Sequence, residues 1–403
     1  MKYLKNHSRL ALGYFLIAAL LGLILRSFYV LEIPITFKFV VHAHSHIALL
    51  GWVYIALTTI IYKLYLEKLQ LQKKYNYIFW FTQLTLVGML CSFPFQGYAL
   101  FSIVFSTLFL IASYSFFIFF KKHISSENKE QNSYYCINTA LWYVVISSIG
   151  PWALGGIMTT LGATSIWYRL AIYFYLHFQY NGWMILALIG ILLYILEEQN
   201  IQVSKAVFKR FFYSINIGII ATFFLSTLFT KPPIILYILG GIGAIFQLYS
   251  LFLIINSLKQ NSEKISALFS SFQFSLLKTV CFFLLLKMIL QLLTALPYFA
   301  NLAVTILDFT IGYLHWTFLG VVTICLFLFL DYFRMIKIPK KAYYIYLSGF
   351  LLTEALIFYK GFIIWQSLPL LHTYFKLLAL ASLLIVIAIL YIFATSFFIK
   401  NKK

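Results

Sequence analysis

The apolar positions of this chain fall in long runs, broken by lysines, prolines and short polar clusters rather than alternating with them. A helix rises about 1.5 Å per residue and must cross roughly 30 Å of hydrocarbon, so a run of about 20 residues predicts a membrane-spanning helix. Twelve runs can be counted, at approximately 10–31, 37–62, 76–94, 98–120, 134–160, 166–196, 207–229, 233–256, 272–296, 301–330, 343–365 and 372–398. The first is too long for a signal-peptide core and has no small-residue cleavage site, so it is expected to be retained. Connections are short, and the longest polar piece, Lys121 to Ser133, reads as a solvated loop. The expectation is an all-α, polytopic membrane protein with a single integral domain over 1–403.

Composition agrees and excludes an ordinary soluble enzyme. Of the 403 residues, 63% are hydrophobic and 10% charged, against roughly 45–50% and 25% in soluble domains. The net charge of +20 would suggest a nucleic-acid partner for a soluble protein. Here the cations sort by side. With the N-terminus inside, 22 of the 30 Lys and Arg fall in inner segments, among them Lys400, Lys402 and Lys403, and six at outer ends. That bias predicts N-in and C-in, no nucleic-acid partner, and a basic face toward anionic lipid. Cys91, Cys136, Cys281 and Cys325 lie in or beside apolar runs without metal-binding spacing and read as small buried hydrophobes.

A longer period emerges from the histidines. Three runs carry His followed five residues later by Gly and a bulky apolar residue: His46–Gly51–Trp52, His177–Gly182–Trp183 and His315–Gly320–Val321, spaced 131 and 138 residues apart. They lie on helices 2, 6 and 10, so the chain reads as three four-helix repeats, about 1–130, 131–265 and 266–403. Helices four apart run in the same direction, which puts the three histidines at similar depth in the outer half of the membrane. A lone His in an apolar helix most often packs through a hydrogen bond. Three at matched depth point to a shared site, because ionisable groups inside a bilayer are costly and usually functional. Helix 2 adds His42-Ala43-His44-Ser45-His46. His42 and His46 share a face, while His44 lies about 200° around the helix, so one helix can serve two planar metal cofactors. Zinc would normally be completed by Cys or carboxylate ligands, whereas neutral imidazole in an aromatic-rich bundle suits haem iron.

Those residues carry a resemblance. Twelve helices in three pseudo-symmetric four-helix arcs, with His on helices 2, 6 and 10, resemble subunit I of the haem-copper oxidase superfamily, which includes cbb-type oxidases and nitric oxide reductases. The segment HSHIALLGWVY at 44–54 is similar to the haem-ligating HxHxALxG motif of that superfamily's tenth helix, and WYRLAIYFYLHFQYNGW at 167–183 to its sixth-helix segment, where a His binds the non-haem metal. The resemblance implies one or two b-type haems held by His44, His46, His315 and His42, with His177 as a further haem or metal ligand. It also implies copper, a cytochrome electron donor or other respiratory-complex subunits as partners, electron transfer or oxygen or nitric oxide handling as the activity, and a bacterial-type inner membrane. The chain departs from the pattern in placing HxH on the second helix. It has no His at 207–229, where those enzymes carry two metal ligands, and it has Asn181 where they carry Tyr or Glu. The NnrS family, associated with haem and copper and with protection against nitric oxide, is similar through its HAHxxxxG-like and LHxxxxG stretches, here His44–Gly51 and Leu314–Gly320.

The remaining deep polar groups are few. Arg26 and Arg169, at outer helix ends, suit haem propionates or the membrane interface. Asp308, seven residues before His315, would orient a ligand, carry protons or cap helix 10. Glu354, Lys278 and Lys287 read as ion-pair partners or parts of a proton path. His7 and His123 fall in solvated inner segments, and His372 at the interface. The competing readings are a proton-coupled transporter built on the central histidines and a ligand-free subunit that stabilises an oxidase.

Overall fold

The computed structural model describes residues 2–398, the last of these through its backbone alone; Lys400, Lys402 and Lys403 lie outside the described residues. All regular structure among them is helical. Twelve helices are long and apolar enough to cross a membrane: α1 (Lys2–Ser27), α2 (Phe37–Tyr65), α3 (Gln72–Gln96), α4 (Leu100–His123), α5 (Asn132–Thr160), α6 (Ile166–Glu197), α7 (Lys205–Thr230), α8 (Ile234–Lys259), α9 (Ser271–Leu293), α10 (Leu307–Tyr332), α11 (Lys340–Trp365) and α12 (Tyr374–Phe397). The protein is therefore read as an integral membrane protein whose apolar outer surface suits lipid.

Two compact units form, one from Met1–His123 with Leu326–Lys403, the other from Ile124–Cys325. In the first, α1 packs on α2 and α12, α3 on α4, and α11 on α12. Its centre is aromatic: Trp52 stacks on Phe15 at 4.9 Å, and Phe327 and Tyr346 close around Phe15. In the second, α5 packs on α6, α7 on α8, and α9 on α8 and α10.

Four expectations are corrected. Helix α1 begins at Lys2 rather than near residue 10, because the basic N-terminal residues continue the helix. His7 is consequently buried, stacked on Phe79 at 3.5 Å and edge-on to Tyr3, rather than solvated. The predicted run 301–330 divides: a short helix, Pro297–Thr305, opens on proline, the chain extends at Ile306 (φ −110°, ψ 95°), and α10 starts at Leu307. Cys91 is exposed, unlike the buried Cys136 and Cys325. Helix α5 is interrupted at Ser148. Pro151 explains the break, since it lacks an N–H and its ring excludes the carbonyl four residues back, that of Ser147.

The His-to-Gly period has a structural counterpart. Segments Ile47–Tyr54, Phe178–Met184 and Trp316–Thr323 are π-helical, and each starts at the residue after His46, His177 or His315. In each the glycine is the fifth residue, matching the i→i+5 period of a π-turn. Helix α1 packs on the first segment, α5 on the second and α9 on the third. Glycine is required at two of them, because a Cβ on Gly51 would lie 2.8 Å from Tyr14 Cβ, and one on Gly182 would lie 2.8 Å from Tyr143 Cβ. Both obstructing atoms are fixed to backbone. Gly51→Val and Gly182→Val are each expected to cost about 1–3 kcal/mol through overpacking. Thermal melting in one detergent checks this, with Tyr14→Ala and Tyr143→Ala, which keep the obstructing Cβ, failing to restore the loss.

Candidate functional site

The histidine cluster of the first unit sits just above the first π segment, and His42, His44 and His46 are all half-buried. Their two faces separate as the helical period demands. The His46 ring lies 4.3 Å from that of Phe93, and the His42 ring 4.6 Å from that of Tyr98, while His44 turns to α1. Tyr98 reaches this position through Gly97, whose φ of +58° strains any residue with a side chain.

Tautomers follow from the partners. His44 Nδ1 is 2.8 Å from the Ala18 carbonyl, and His46 Nδ1 is 2.8 Å from the His42 carbonyl. A carbonyl only accepts, so both Nδ1 atoms carry the hydrogen and both Nε2 atoms carry a lone pair. The Tyr98 hydroxyl donates to His46 Nε2 at 3.2 Å. A carbonyl-anchored Nδ1–H leaves Nε2 as the nitrogen that could hold a metal, and on His46 such a metal would have to displace the Tyr98 hydroxyl. The neighbouring face of α1 seats the His44 ring. Ala18, Gly22 and Arg26 recur every four residues, and a Cβ on Gly22 would meet His44 Cε1 at 3.0 Å. Arg26 thus shares a stripe with the groups that touch His44, and it interacts electrostatically with the buried Glu354 of α11.

The second unit holds a different site. Lys287 of α9 is fully buried, at 0% exposure, in a span where a bare ammonium is costly. It donates to Asn181 Oδ1 and, at 2.6 Å, to Gln291 Oε1, which also accepts from the Tyr313 hydroxyl at 3.2 Å. Its Nζ lies 5.8 Å from the centre of the Tyr313 ring. Among the described residues no carboxylate pairs with it. An ammonium only donates, so Asn181 turns its oxygen to Lys287 and its Nδ2 to His177 Nδ1, 3.3 Å away. Ser226 Oγ reaches the same nitrogen at 3.2 Å, and His177 Nε2 donates to the Ile219 carbonyl at 2.8 Å. His177 is therefore neutral, with both ring nitrogens engaged and only 1% of its surface exposed. A metal on His177 would have to displace Asn181 and Ser226.

The other sequence candidates are placed as follows. His315 is half-buried at the last α-helical residue before the third π segment, followed by Trp316, whose Nε1 donates to the Phe283 carbonyl at 3.0 Å. Asp308 stands in the first turn of α10, where a carboxylate complements the helix dipole. Arg169 is exposed; it lies 4.4 Å over the Phe229 ring and donates to the Tyr173 hydroxyl at 3.1 Å. Lys278 lies 4.7 Å over Phe274, and among the described residues neither α9 lysine has a carboxylate partner. Among the described residues, no three His, Cys, Asp or Glu converge as around a lone metal ion. Sequence reasoning missed Ala18, Gly22, Tyr98, Ser226, Gln291 and Tyr313. The available signal was the pair of i, i+4 polar couples, His177/Asn181 and Lys287/Gln291, in otherwise apolar runs.

No family model matches the chain, and no curated protein matches it in sequence.

Proposed function

We propose that the protein is a haem protein of a bacterial-type inner membrane that handles electrons or a diatomic gas, oxygen or nitric oxide. The observation that carries this reading is the pair of carbonyl-anchored imidazoles, His44 and His46, on opposite faces of one half-buried helix end. These two would hold the iron of one or two b-type haems, with His42 and His315 as further candidate ligands. Axial ligation needs only one or two imidazoles per iron. The Ala18–Gly22 stripe seats the His44 ring, and Arg26 would supply a cation for a propionate. When bound, haem supplies a redox-active iron; the chain's own residues fix the imidazole tautomers, keep water away and place charge at the ring edge. His177 then serves to position α6 rather than to ligate, which leaves a copper centre with fewer donors than the resemblance implies. The π segments after each histidine, each packed by the preceding helix, support three four-helix arcs, and the cation bias supports both termini inside. A resemblance to haem-copper oxidases or to NnrS proteins fits these features.

Membranes from cells expressing the protein with haem precursor are expected to show a reduced-minus-oxidised Soret and α-band signal that shifts on adding carbon monoxide. Membranes with normal protein levels and no such signal would reject the reading. A second reading, proton-coupled transport, is favoured by one observation, the buried Lys287 held only by neutral partners; it predicts substrate-dependent proton flux without bound iron.

A further inference from the structure

Helices α7 and α8 pack closely along their length and carry a groove on one side toward the start of α7. A Cβ on Gly218 would lie 2.8 Å from the Gly243 carbonyl oxygen, and one on Gly243 would lie 2.8 Å from the Thr222 nitrogen, so the backbones touch at this small-residue crossing. Toward the start of α7, Tyr213 and Ile217 of α7 and Phe246 and Tyr249 of α8 line one side of the pair. A groove of about 520 Å³ lies there, lined by these four residues and, at the end nearer the start of α7, by Lys209 and Arg210. The α7 residues, 209, 210, 213 and 217, form one helical stripe. Arg210 and Ile217 are separated by roughly 10 Å along the axis at about 1.5 Å per residue. That spacing takes the groove from the headgroup level into the acyl region.

The charge is unbalanced. Lys209 and Arg210 are exposed, and neither makes a hydrogen bond or ion pair with any described residue. The end of the groove is further enriched in cations by Lys205 in the first turn of α7 and Lys259 in the last turn of α8. A basic mouth above an apolar, aromatic floor, between two spans, is complementary to one class of occupant. We propose that this groove binds an anionic phospholipid, with its phosphate on Lys209 and Arg210 and an acyl chain along Tyr213, Ile217, Phe246 and Tyr249. A soluble protein partner would meet apolar residues at membrane depth, and a free phosphate would leave the floor unused. The proposal is independent of any haem.

The test uses the full-length protein in nanodiscs, titrated with phosphatidylglycerol against a phosphatidylcholine background and read by native mass spectrometry for retained lipid. Phosphatidylglycerol is expected to be retained over phosphatidylcholine. Lys209→Gln/Arg210→Gln should weaken retention roughly thirtyfold, with Ile217→Asn weakening it through the floor. Lys341→Gln, an exposed cation in the other unit, should change nothing. Equal retention of the two lipids, an unchanged double variant, or equal protection by inorganic phosphate would overturn the proposal. The substituted cations are exposed, so folding is not at stake, and unchanged melting of the variants verifies this.

Discussion

Replacing Asn181 by Leu is expected to destabilise the protein by roughly 3 kcal/mol, while replacing Lys287 by Met leaves stability within about 1 kcal/mol or raises it. The asymmetry follows from which group is left behind. Without Asn181 the buried ammonium keeps only Gln291 as a hydrogen-bond acceptor, and His177 loses one of the two donors to its Nδ1. Without Lys287 the costly group itself is gone, and Gln291 still accepts from Tyr313. Only the amide oxygen of Asn181 is then unsatisfied. The double variant should therefore recover most of what Asn181→Leu loses, because the two residues share one interaction. Melting temperatures of the four proteins, at one scan rate in one detergent, decide the matter. If Lys287→Met were the more damaging single change, the network would be a source of stability rather than a tolerated burden, and the placement of charge given above would be wrong.

The second large effect concerns the histidines. His44→Ala and His46→Ala are each expected to lower bound haem by tenfold or more, since even residues that only orient a metal ligand are worth roughly 10–100-fold. His177→Ala should leave haem content near that of the unaltered protein while lowering the melting temperature, because both its ring nitrogens serve protein groups. Tyr98→Phe removes the hydroxyl facing His46 Nε2 and is expected to retain haem. Soret absorbance per mole of purified protein checks all four. Haem lost equally from the His46 and His177 variants would make the effect one of folding.

How far the chain could be read without coordinates depended on the range of each interaction. Spans are local, so ten runs correspond closely to helices; the first starts late because the charged N-terminal residues hide the helix start at Lys2, and the tenth, 301–330, misses the start of α10 because nothing apolar distinguishes Ile306 from its neighbours. The division of His42 and His46 from His44 is also local and needed only the helical angle. The five-residue His–Gly interval was visible, but its meaning as a π-turn was not, because an α-helix tolerates the same letters. What the glycines admit, Tyr14 and Tyr143, lies on another helix. The same holds for Lys287: it was seen as a deep charge, but its acceptor Asn181 is 106 residues away in sequence. Carboxylate partners were the natural expectation, and the fold satisfied the cation with amides instead. His7 was misjudged for the opposite reason, its charged neighbours masking a face that packs on Tyr75 and Phe79.

The central claim is that His44 and His46 are haem ligands, and its most direct test is the iron and haem content of the purified full-length protein, produced with haem available and assayed by pyridine haemochrome alongside elemental analysis. One or two b-type haems per chain, with matching iron, are expected. Well-folded protein with no haem and no iron would contradict it.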